Sequence, residues 1–197
     1  MKYKDIYTSD FLDKFGEYKD KIEKIELGNS QRIDVKTIAE SCNIPIEYNV
    51  LESSGCCSND NNHTNTNTNK NTDKLIQINK FEPEYRQRFT IAHELGHILL
   101  GHQGVSYRTS DVTKYKDTIK RMNELAANKF AAELTMPKSL VIDVLFSSIK
   151  QMGYSINQRF GDEDISKIVR ISANELGVSP RSLDIRIKNL GIFVNAK

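Results

Sequence analysis

The sequence predicts an α+β fold in which a small sheet packs on one buried helix, followed by a mostly helical C-terminal part resembling a helix-turn-helix. Three observations carry that expectation. The run from Phe89 to Leu100 holds His93-Glu94-Leu95-Gly96-His97 inside a nearly continuous apolar helical pattern. Two short stretches, 44–51 and 75–79, carry the apolar and polar pattern of half-buried strands. From Asp117 onward the apolar spacing is helical.

Composition narrows the classes. A chain of 197 residues can bury one good core or two small ones. With 38% hydrophobic and 27% charged residues it has the make-up of an ordinary globular protein. The net charge of +2 supplies no whole-chain case for a nucleic-acid or acidic partner. Met1 to Ile6 is polar, without the apolar run of a signal peptide, and no stretch approaches the roughly 20 apolar residues of a membrane span. The three cysteines, Cys42, Cys56 and Cys57, make a poor disulfide framework and point to a reducing, cytoplasmic compartment. Adjacent Cys56 and Cys57 lack the C-x-x-C spacing of a zinc site. Asn62-His63-Thr64 matches a glycosylation sequon but has no secretory signal to make use of it.

Taken in order, residues 1–29 form an N-terminal unit. Phe11, Phe15, Tyr18, Ile22 and Ile25 put an apolar seam on one amphipathic helix over 8–27, packed on the body of the protein. A second unit covers 30–137. It begins with a short helix from Asp34 to Ser41 that turns Val35, Ile38 and Ala39 inward. The strand at 44–51 follows. The Asn- and Thr-rich tract 53–73 cannot bury enough apolar surface to offset its ordering entropy, so it reads as a loop, a hairpin insertion before the strand at 75–79. His63 in that loop reads as solvated. Pro83 suits the first position of the helix that runs to Leu100, and Gly101 suits its stop. Residues 102–116 read as a loop. An alanine-rich helix runs from Asp117 to Leu134 and ends before Met136-Pro137. The third unit, 138–197, holds a helix at 138–152 and two shorter ones, from about Ile165 to Leu176 and from Pro180 to Leu190.

On a helix, residues four apart lie one turn above each other. His93 and His97 can therefore offer two imidazole nitrogens to one Zn2+ ion, with Glu94 beside them to take a proton from a water held by the metal. A third ligand must come from elsewhere. The extended pattern with glycine at 100 and histidine at 103 fails, because Leu100 and Gln103 stand there. His102, nine residues past His93, is expected to point away, about half a turn round a continued helix. Glu124 and Glu133 lie on opposite faces of the alanine-rich helix. Glu124 shares a face with Asn128 and Ala131, small and polar enough to approach a metal, and completes a His₂Glu set. Glu133 reads as a helix-end structural or surface carboxylate.

The segment Arg86 to His97, followed by Asn123-Glu124-Leu125-Ala126-Ala127-Asn128-Lys129-Phe130-Ala131-Ala132-Glu133-Leu134-Thr135-Met136-Pro137, resembles the ImmA/IrrE family of zinc metallopeptidases. The resemblance covers roughly 30–140 and weakens into the C-terminal helices. It implies a zincin-like metallopeptidase fold, with His93, His97 and Glu124 as zinc ligands and Glu94 as the catalytic residue. It also implies a cytosolic bacterial or mobile-element endopeptidase that cleaves a helix-turn-helix transcriptional repressor and so relieves repression of a mobile element or stress response. The Asn/Thr insertion departs from the compact form of the family at one edge of the site.

Three further expectations concern the surroundings. Tyr107, Arg108 and Tyr115 are candidates to stabilise an oxyanion. An extended substrate pairs with the sheet edge at Leu75–Asn79, provided that strand is not central. Residues 173–183 have the small-residue, glycine-turn pattern of a helix-turn-helix, which would read DNA through Arg181, Arg186 and Lys188. Residues 162–197 carry six basic and five acidic side chains, so the favoured role is packing against the enzyme. The rival function is a regulatory DNA- or protein-binding module with a structural or vestigial zinc site. Glu94 argues against it, because a structural site needs no base there.

Overall fold

The computed structural model describes residues 1–28, 30–58, 74–102, 106–107 and 118–192. In chain order the elements are α1 (Ser9–Leu12), α2 (Lys19–Lys24), α3 (Val35–Ser41), β1 (Ile46–Asn49), β2 (Gly55–Ser58), β3 (Leu75–Asn79), α4 (Glu84–Leu99), β4 (Ser106–Tyr107), α5 (Thr118–Thr135), α6 (Lys138–Gln151), α7 (Asp162–Leu176) and α8 (Pro180–Leu190). Among the described residues no helix is long and apolar enough to cross a membrane.

The N-terminal seam exists, but not on one helix. A 3₁₀ segment, Asp13–Tyr18, separates α1 from α2, and Gly16 within it takes φ +53°, ψ −124°. Only glycine adopts that conformation readily, so the chain kinks where the apolar spacing alone predicts a straight helix. The kink still buries Phe11, Phe15 and Ile22. Phe11 and Phe15 close on Phe130 of α5, with ring centroids 5.1 and 5.8 Å away. The buried Tyr7 hydroxyl donates to the carbonyl of Leu134 at 2.6 Å. Buried residues from Tyr3 to Ile187 form one cluster, so the N-terminal segment, the sheet, α4, α5 and the C-terminal helices share a core.

The Asp34 side chain caps α3, accepting from the N–H groups of Lys36 and Thr37 at 3.1 Å each. Val35, Ile38 and Ala39 face inward as expected. Burial raises the pKa of Asp34, but Thr37, Lys36 and the nearby Arg88 guanidinium outweigh it and lower the pKa from 3.8. A carboxylate with a depressed folded pKa stabilises the fold above its unfolded pKa and loses that effect as pH falls through the folded one. Asp34→Ala is therefore expected to cost about 1 kcal/mol in urea denaturation near neutrality. The gap to wild type should shrink well below pH 3.8. A gap that stayed constant into acid would show the cap to be uncharged in effect.

The sheet order is β1-β3-β2-β4. β1 runs parallel to β3, while β2 runs antiparallel to both β3 and β4. This corrects the expected sheet in three places. Gly55–Ser58, assigned to the loop 53–73, is a strand, because parallel neighbours such as β1 and β3 cannot be joined by a tight hairpin and the chain returns through β2. Residues 59–73, with His63, lie outside the described residues. β3 is central, paired on both sides, so Leu75–Asn79 offers no free edge to a substrate and that expectation is withdrawn. In the expected loop 102–116, Ser106–Tyr107 forms the short edge strand β4. α7 also begins earlier than predicted, at Asp162.

One face of the sheet, bearing Gly55, Cys57, Ile76 and Ile78, is buried, and α4 packs on both β2 and β3. α5 packs along α4 on a face of Glu124, Ala127 and Ala131. The turn after α7 docks onto the front of α4. Arg88 Nε donates to the carbonyl of Gly177 at 3.3 Å, and Arg32 donates to that of Asn174 at 3.0 Å. Both cations thereby satisfy carbonyls at the C-terminal end of α7, where the helix dipole favours positive charge.

Candidate metal centre

Because α4 is covered by the sheet, α3 and α5, nine consecutive residues from Thr90 to Ile98 are buried. His93 and Glu94 are 0% exposed and His97 is 2% exposed. Such polar groups require partners at that depth. α5 supplies one. Glu124, 3% exposed, places Oε2 3.2 Å from His93 Nε2 and Oε1 3.3 Å from His97 Nε2. The two imidazole Nε2 atoms are 3.1 Å apart.

Three potential ligand atoms on a triangle of 3.1–3.3 Å sides nearly match one face of a tetrahedral zinc site. Metal–ligand bonds of about 2.0–2.2 Å put neighbouring ligands roughly 3.3–3.6 Å apart. The donor set, two imidazoles and a carboxylate, suits Zn2+. Among the described residues, His93, His97 and Glu124 are the group that could hold a metal ion. Burial acts to raise the pKa of Glu124, but hydrogen bonds with His93 and His97 outweigh it and hold the carboxyl well below the usual range. The carboxyl is therefore held in its charged form.

Gly96, between the two histidines, sets the spacing of α4 and α5. A Cβ there would lie 2.9 Å from Phe130 Cδ1 and 3.2 Å from its Cγ. Phe11 and Phe15 also pack against that ring. Gly96→Ala is expected to destabilise the protein by about 1–3 kcal/mol through overpacking. It should also weaken metal binding, since displacing α5 carries Glu124 from the histidines. Urea denaturation with a chelator-competition titration checks both. Lost stability with unchanged metal affinity would mean that Phe130 yields without moving the helix.

The chain matches the IrrE N-terminal-like domain of the peptidase M78 family over residues 57–188, a span containing both α4 and α5. It belongs to that family. A comparison with curated proteins finds no match. The protein is thus a metallopeptidase of the IrrE/ImmA type, and its sheet packed on α4 is consistent with the zincin-like fold of M78 peptidases.

The remaining candidates are distributed as follows. Glu94 is buried on α4, which packs on β2, and its carboxylate is near enough to the buried Cys57 thiol to raise the thiol's pKa. Burial first, and the Glu94 charge second, push the Cys57 thiol far up, so it remains neutral. Glu133 is away from the centre, 3.5 Å from Lys14 as an ion pair. Tyr107 is on β4 opposite Cys56, while Arg108 and Tyr115 lie outside the described residues. In the C-terminal pair, Arg186 turns inward to donate to the carbonyl of Met136 at 3.0 Å, Lys188 pairs with Asp184 at 2.6 Å, and Arg181 is exposed.

His102 is the residue that sequence reasoning misplaced. It does not point away: its Nδ1 lies 2.9 Å from Nδ1 of His97. The helix does not continue to position 102. Gly101 takes φ +69° and reverses the chain, so an angle extrapolated along α4 does not apply. The stop signal at Gly101 was already legible and could have located His102. Burial, then the nearby His97, lowers the pKa of His102 and favours its neutral form.

Proposed function

We propose that this M78 peptidase is a zinc-dependent, cytoplasmic endopeptidase that cuts one protein substrate at a defined site, a helix-turn-helix transcriptional repressor whose loss relieves repression. The observation that carries the zinc reading is the buried triangle of His93 Nε2, His97 Nε2 and a Glu124 carboxylate. The substrate class rests on the resemblance to the ImmA/IrrE family and on membership of M78.

His93, His97 and Glu124 would hold the metal. Bound there, zinc supplies Lewis acidity towards a peptide carbonyl and brings the pKa of a water towards neutrality. Glu94 is the proton carrier: its carboxylate takes a proton from the attacking water and returns it to the leaving nitrogen. The surrounding apolar packing keeps bulk water from competing for these groups and strengthens their electrostatic interactions. The C-terminal helices brace the front of α4 through Arg88 and Arg32, and the inward Arg186 supports packing over DNA reading for this part.

The test is to incubate the zinc-loaded protein with the helix-turn-helix repressor encoded beside its gene and to map products by mass spectrometry. A single cut, lost on chelation and restored by zinc, is expected. An intact repressor after incubation with fully zinc-loaded enzyme would overturn this substrate assignment.

A further inference from the structure

We propose that His102 is a positioning residue for the metal centre: its Nδ1 accepts a hydrogen bond from Nδ1–H of His97 and so holds His97 with the Nε2 lone pair turned to the metal position. This rests on the zinc reading above. The two Nδ1 atoms are 2.9 Å apart, and the rings meet edge to face, with centroids 4.9 Å apart and planes at 72°. A neutral imidazole has one N–H and one lone pair, so one ring must donate and the other accept. The other nitrogen of His97, Nε2, faces His93 Nε2 and Glu124. For that nitrogen to present its lone pair to a metal, the proton must sit on Nδ1, which makes His102 the acceptor.

The placement of His102 is built into the end of α4. The Gly101 N–H bonds the carbonyl of Ile98 at 3.3 Å, and the His102 N–H bonds that of His97 at 3.0 Å. With Gly101 left-handed, these are the two crossed bonds of a Schellman motif. That motif brings the second residue beyond the helix back over the residue five earlier, usually for an apolar contact. Here the same geometry delivers an imidazole to a ligand imidazole. A backbone capping motif thus does the work that a carboxylate or carbonyl does behind most metal-ligating histidines.

The test compares wild type, His102→Ala and His102→Asn, the last keeping an acceptor near the position of Nδ1. Zinc affinity is measured by chelator competition. In the zinc-loaded wild type, nitrogen-15 NMR reads the coupling across the hydrogen bond between the two Nδ1 atoms. The alanine variant is expected to bind zinc about 10–100-fold more weakly, with the asparagine variant recovering most of that loss. Wild type should show the Nδ1–Nδ1 coupling and a downfield, exchange-protected His97 Nδ1 proton. An alanine variant whose affinity stays within about twofold of wild type, or zinc-loaded wild type without the coupling, would overturn the proposal while leaving the zinc reading intact. Wild type that takes up no zinc would overturn both.

Discussion

Glu94→Gln is expected to reduce peptide cleavage by at least about 10²–10⁴-fold, the range a positioned acid–base group supplies, while metal content stays at the wild-type level. The substitution is nearly isosteric and exchanges a carboxylate for a neutral amide. Glu94 is 0% exposed and is not part of the His93–His97–Glu124 triangle, so the amide removes the proton acceptor without removing a ligand. Zinc analysis and cleavage rates on the same preparations check both halves of the expectation. Cleavage at an undiminished rate would place the base elsewhere, and a loss of zinc would place Glu94 in the ligand set.

Glu124→Ala should separate metal binding from folding. Removing a neighbour that only orients a ligand costs 10–100-fold in metal affinity, so removing a ligand should cost more than about 100-fold. Zinc bound to the native state at about 100 times its dissociation constant stabilises it by about 2.7 kcal/mol. For a chain of this size that corresponds to a rise in Tm of roughly 5–10 °C. Wild type is expected to show this zinc-dependent rise and Glu124→Ala to show almost none. Glu133→Ala is the control: Glu133 sits beside Lys14, away from the centre, and its loss should leave the rise intact. An equal rise in Glu124→Ala would remove Glu124 from the metal centre.

Much of this site was legible along the chain because its geometry is helical. His93 and His97 lie one turn apart on α4, and Glu124 heads a face with small residues on α5. Both facts follow from the 3.6-residue period. The expected helices Asp34–Ser41, 138–152 and Pro180–Leu190 match α3, α6 and α8 to within one residue at each end, because their apolar spacing is a local property as well. Local signals failed where a single backbone angle redirected the chain. Gly16 breaks the amphipathic seam, and Gly101 turns His102 back.

By itself the sequence determined which residues carry metal-ligating and proton-accepting side chains at helical spacing, since side-chain chemistry and helical period are local properties. It also determined the general class of the fold. Tertiary structure alone decided the rest. Strand order made β3 central, because hydrogen-bonded neighbours are chosen by the whole sheet and β2, Gly55-Cys56-Cys57-Ser58, lacks the alternation of strand-forming residues that marks β1. The seating of Glu124 across two imidazoles depends on how closely α4 and α5 approach, which Gly96 and the Phe11–Phe130–Phe15 cluster set across more than a hundred residues of chain. Such contacts join side chains distant in sequence, and no local pattern specifies them.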